Sequence, residues 1–198
     1  MPGPELIDEA LRLVGELLQA QGERFRVVVI GGAAANLLGI VSRTTTDVDI
    51  LAFASRDRSG RIRLEPPEEP LPRPMREAAA TVADDLGLDS DWLNTGPASQ
   101  WKTGLPPGLD DRIEWRDYGG LVVGLVGRRD LIFFKLYASA DQTGPDSVHF
   151  QDLLALAPTD EELESAAVWV RSQDPSPDFI VTLSQVVAHA RHRRAQDH

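Results

Sequence analysis

Two aspartates one residue apart, Asp47 and Asp49 in TTTDVDIL, are the residues whose type and spacing point most directly to chemistry. In an extended segment alternate side chains share a face, so the two carboxylates point together while Val48 and Ile50 point away. Like charges placed this way repel each other and lose hydration unless a cation or strong donors lie between them. A divalent ion meets that need. Mg2+ (or Mn2+) takes a few carboxylate oxygens and completes its shell with water and phosphate oxygens, so the pair suits an ion carried by a nucleotide triphosphate. Groups that hold phosphate precede the acids. Gly31 and Gly32 close an apolar run and, lacking Cβ atoms, let backbone amides approach an anion. Arg43, Thr45 and Thr46 add a guanidinium and hydroxyls next to the carboxylates.

A further candidate lies far along the chain. In DLIFFKLYA nearly every position except Lys135 is apolar, so a helix there is buried on most sides and its ammonium needs an anionic partner. A phosphate or an aspartate would serve. The basic cluster Arg191, Arg193 and Arg194 suits the negative end of a helix dipole and needs no nucleic acid to explain it.

The elements that position these groups follow from periodicity. Residues 5 to 20 repeat apolar positions at helical spacing, and Phe25 to Ile30 reads as a buried strand ending at the double glycine. A short helix over 33 to 38 and a strand from about Thr46 to Phe53 come next. Residues 56 to 74, with five prolines among many charges, read as a surface insertion that resists helix and central strand. A helix from Met75 to Leu86 stops at Gly87, and the stretch to Gly108 reads as loop with one short turn. Residues 112 to 118 and 121 to 126 flank Gly119 and Gly120 as a hairpin. Helices are expected near 130 to 139, 148 to 156, 160 to 171 and 178 to 193, the third opened by a Thr159 and Glu162 capping box. The fold expected is α/β (α+β): a mixed sheet flanked by helices over residues 1 to 128, with a C-terminal helical part over 129 to 198.

Bulk composition narrows the function classes. The 198 residues carry a net charge of −11, which opposes broad DNA binding unless basic residues are segregated onto one face. There is no cysteine, so thiolate nucleophiles, disulfides and Cys-bound metals are excluded, and any metal sits on oxygen or imidazole. No apolar run is long enough for a membrane span and the first residues lack a signal-peptide pattern, so a cytoplasmic protein with no membrane partner is expected.

The pattern GG-x-A-x-x-L-x-G followed by R-x-T-x-D-x-D resembles the DNA polymerase β type nucleotidyltransferase superfamily. Within it the chain is similar to DUF6036-type proteins and, more distantly, to AbiEii-like nucleotidyltransferase toxins; DDLGLDSDWLN, DLIFFKLYAS and HFQDLLAL extend the likeness to about residue 157. The resemblance implies a nucleotidyltransferase-like fold and transfer of a nucleoside monophosphate to a tRNA or protein acceptor, as in the toxin of a toxin-antitoxin system with a cognate antitoxin as partner. It implies that Lys135 and Asp152 join Asp47 and Asp49 in catalysis. Many members carry a third carboxylate on a later strand. Residues 121 to 126 contain none, which leaves Glu114 or Asp117 on the neighbouring strand as substitutes. An inactive member, acting as a binding module through a protein partner, is the alternative.

Rival enzyme classes fit less well. A dinucleotide-binding strand would explain VVVIGGAA, but G-x-G-x-x-G is missing. A P-loop lacks its G-K-[ST] and a serine hydrolase its G-x-S-x-G.

Overall fold

The structure is a computed structural model describing residues 4–41, 45–141 and 147–196. The chain divides into two compact units, Met1–Gly127 and Arg128–His198. No helix among the described residues is long and apolar enough to cross a membrane.

The first unit is built on one mixed sheet. Helix α1 (Pro4–Ala20) buries Ile7, Ala10, Leu11, Val14 and Leu18, the apolar stripe its spacing demands. Strand β1 (Phe25–Ile30) is β-branched and buried from Val27 onward, and helix α2 (Gly31–Leu37) begins directly at its end. Strand β2 (Val48–Arg56) runs antiparallel to β1, and β3 (Ile62–Glu65) pairs antiparallel with β2. Helix α3 (Arg73–Leu86) leads to the two-residue strand β4 (Leu93–Asn94), which joins β2 in parallel. A short helix α4 (Gln100–Thr103) follows, and β5 (Glu114–Asp117) and β6 (Leu121–Leu125) form the hairpin. The sheet order is β3-β2-β1-β6-β5, with β4 alongside β2.

Several expectations change: the second helix starts at Gly31, and the stretch to Gly108 expected as loop contains β4 and α4. The strand bearing the acids begins at Val48, so Asp47 lies one residue before the ladder. Part of the segment expected to be a bare insertion is β3: before the prolines begin at Pro66, Ile62 and Leu64 alternate with charged residues, a pattern an edge strand accepts. The antiparallel pairing of β1 with β2 is also unlike a dinucleotide-binding fold, whose first two strands are parallel.

The second unit is helical: α5 (Arg128–Asp141), α6 (Val148–Ala155), α7 (Asp160–Gln173) and α8 (Pro177–Gln196). Trp169 of α7 packs against Phe133, Phe134 and Tyr137 of α5, with ring centroids 5.7 to 6.4 Å away. The capping box forms as expected, with the Thr159 hydroxyl accepting from the Glu162 amide and the Glu162 carboxylate accepting from the Thr159 amide.

Candidate nucleotide and metal site

An irregularity in the β1–β2 ladder decides where Asp49 points. Val28 pairs with Ala52 and Val29 with Ile50, so Leu51 is an extra residue on β2 and the register slips by one. Such a bulge reverses the faces of every residue beyond it. It places Asp49 opposite Ile30 and on the sheet face of Val28 and Ala52. The carbonyl of the bulged Leu51 accepts a hydrogen bond from Trp101 Nε1 at 2.7 Å.

Opposite Ile30, Asp49 meets the glycine turn. A Cβ on Gly31 would lie 2.7 Å from Asp49 Oδ2, and Gly31 has φ of +74°, so this position needs glycine on both counts. The first glycine of the pair therefore admits a carboxylate as well as opening the start of α2. Gly32 is buried within that first turn. Asp47 is exposed, and its Oδ1 accepts from the Thr45 hydroxyl at 3.1 Å, which orients the carboxylate from a buried threonine. Thr46 is exposed beside it. Arg43 lies outside the described residues.

The structure thus brings Asp49 to Gly31 and Thr45 to Asp47. It also brings Lys135 to Asp152: Nζ donates to Oδ2 at 2.6 Å between α5 and α6, with the residues 5% and 2% exposed. The apolar surroundings of Lys135 required an anion, and the second unit contains one.

Neither substitute for a third carboxylate reaches the acids. Glu114 pairs with Leu125, Leu125 with Val29 and Val29 with Ile50, so Glu114 stands three strand spacings from β2, about 14 Å. Asp117 caps the hairpin: its Oδ1 accepts from the Gly119 amide at 3.0 Å and its Oδ2 from Arg24 at 2.8 Å. That turn amide first, then Arg24, holds its pKa below the usual carboxylate range. What lies beside Asp49 is Asn94, its ladder partner on β4, a position sequence reading assigned to loop. Only the strand pairing reveals it, since LNTG carries no period of its own.

No protein-family model, curated protein or solved structure matches this chain. The site therefore rests on its own geometry. Among the described residues no group of three or more His, Cys, Asp or Glu could hold a metal. Asp47, Asp49 and Asn94 are the groups here that could hold an ion, and an ion held by so few would complete its shell with phosphate and water oxygens.

Proposed function

We propose that the chain is a metal-dependent nucleotidyltransferase that moves a nucleoside monophosphate from a nucleotide triphosphate to an RNA or protein acceptor. The observation that supports this is the Asp49 carboxylate set against Gly31 by the bulged ladder, with Asp47 two residues before it. In this reading Asp47 and Asp49 hold Mg2+, amides at Gly31 and Gly32 take phosphate oxygens, and Arg43 with Thr46 holds the outer phosphates. The bound ion supplies neutralisation of the charge that builds as pyrophosphate leaves.

The remaining work falls to the chain. The Thr45 hydroxyl keeps the Asp47 carboxylate aimed, and Gly31 leaves room for Asp49 to approach the turn. The acceptor hydroxyl then gives up its proton to water as its oxygen bonds to the α-phosphorus, and the bond to the in-line bridging oxygen breaks to release pyrophosphate. Lys135 and Asp152 enter the proposal as a mutually neutralised pair. A tRNA acceptor, with a cognate antitoxin as partner, is the setting that the family resemblance suggests, and a cytoplasmic location accords with it.

Label transfer tests the reading directly. With each α-labelled NTP, Mg2+ and total RNA or cell lysate, wild-type protein should label an acceptor and the Asp47→Asn/Asp49→Asn variant should not. Absence of transfer for every nucleotide and acceptor would sink it.

One observation favours a second reading, a nucleotide-binding module that acts through a protein partner: a neutral amide, Asn94, pairs with Asp49 where an acid could stand. In that case Mg-nucleotide binding would survive without transfer.

A further inference from the structure

Arginines are concentrated on one hairpin of this acidic chain. Residues 56 to 63, RDRSGRIR, hold four arginines against one aspartate. That aspartate, Asp57, is engaged in the turn: its Oδ1 accepts from the Ser59 amide, the Ser59 hydroxyl and the Arg61 amide at 2.6 to 3.0 Å. Arg63 reaches Glu65 only at 3.7 Å. Arg24 and Arg26 add to the same end of the sheet. Arg26 lies over the Trp115 ring at 5.1 Å, and burial first, then Arg56 and Arg24, pushes its pKa below the ordinary guanidinium value.

Beside this hairpin is a cavity of about 450 Å3 with apolar walls, including Ile62, Leu64, Trp101 and Leu105, and with Arg61 and Arg63 on its lining. Those four apolar residues are all half-buried, so a concave hydrophobic surface stays in contact with water. Trp101 is fixed there by its bond to Leu51. Arg56 pairs with Ile62 in the ladder and so shares its sheet face. Asp110 on the lining offers hydrogen-bond acceptors.

We propose that this cavity and the β2–β3 hairpin form a second binding site, for an unpaired nucleotide of a single-stranded nucleic acid. The base enters beside Trp101, and the flanking phosphates lie on Arg61, on the cavity lining, and on Arg56, on the face of Ile62. Aromatic stacking combined with an arginine-lined track is how unpaired strands are held without a fixed sequence. Asp110 favours this occupant over an acidic peptide, because a base presents amino groups that can donate to it and an acidic side chain does not. The cavity extends from Leu64, which pairs with Ala54 five residues along β2 from Asp49, to Trp101, whose bond to Leu51 brings its near edge within two residues of Asp49.

Fluorescence anisotropy with a labelled 10-nucleotide single-stranded RNA, and with DNA of the same sequence, tests the proposal on the full chain. Arg56→Gln/Arg61→Gln, at exposed positions, should weaken binding at least tenfold and reduce the dependence of log affinity on log salt by about 1.4. Leu105→Trp, which fills the cavity, should weaken binding about tenfold with the salt slope unchanged. The Asp47→Asn/Asp49→Asn variant should bind as wild type, so failure of this site and failure of the transfer reading are separate results. Binding that the arginine and cavity variants leave intact would overturn the proposal. So would a duplex binding as tightly as the single strand, AMP competing as well as the oligonucleotide, or poly-glutamate displacing it at equal charge.

Discussion

Gly31 is the residue on which the candidate site turns. Its φ of +74° and the carboxylate oxygen 2.7 Å from a built Cβ make two separate demands, and Gly39 allows them to be separated, since φ there is +70° with nothing within 4 Å. Alanine at Gly39 should cost about 1 kcal/mol for the left-handed backbone alone. Alanine at Gly31 should cost about 1–2 kcal/mol more, because the Asp49 carboxylate must give way. Urea denaturation of the two variants reads the difference; equal losses would show that the contact carries no weight. The Lys135 and Asp152 pair makes a comparable case in the second unit. Removing one partner leaves a charge in an apolar interior, so Lys135→Met should cost about 3–5 kcal/mol, and Lys135→Met/Asp152→Leu should recover most of it. A double variant no better than the single would argue that the pair is held by further bonds.

Among the elements, the bulged β2 strand and the capped α7 helix carry the local physics. The bulge directs Asp49 to its face, and Trp101 satisfies the bulged Leu51 carbonyl. Trp101→Phe keeps a ring but loses the donor, and the protein should lose about 1–2 kcal/mol in a denaturation midpoint measurement. In α7, Thr159→Ala removes the cap and should cost about 1 kcal/mol. Glu162 also receives two bonds from Arg128, at 2.6 and 3.1 Å, and this side chain above all holds its pKa below the ordinary glutamate range. A depressed folded pKa means stability that is fully present above the unfolded value and lost as pH falls through the folded one. Stability should therefore fall on acidification below the usual glutamate range, and Glu162→Gln should flatten that slope. A parallel pH dependence in the variant would assign the loss to other acids.

For the molecule as a whole, ligand binding raises stability by mass action. Under the proposed function Mg2+ alone meets only two carboxylates and should barely move the melting temperature. Mg2+ with an NTP at a hundred times its Kd should add about 2.7 kcal/mol, a rise of roughly 5–10 °C for a chain of this length. The Asp47→Asn/Asp49→Asn variant should lose that rise. An equal rise with nucleotide in the variant would place the nucleotide elsewhere.

Much of this was written locally. The apolar periods of α1, β1, α3 and the C-terminal helices, the Thr159 and Glu162 cap, and the need of Lys135 for an anion all follow from neighbours within a few residues, where propensity and burial act. The paired aspartates and the double glycine were legible for the same reason. Contacts between distant segments were not: that Asp152 meets Lys135, that Asn94 lies beside Asp49 while Glu114 and Asp117 stand away, and that β3 joins the sheet depend on which strands and helices come together. Above all, the face that Asp49 occupies depends on one extra residue in the ladder. A strand's period of two makes its pattern symmetric to such a slip, so only pairing with β1 and the bond from Trp101, fifty residues away, could decide it.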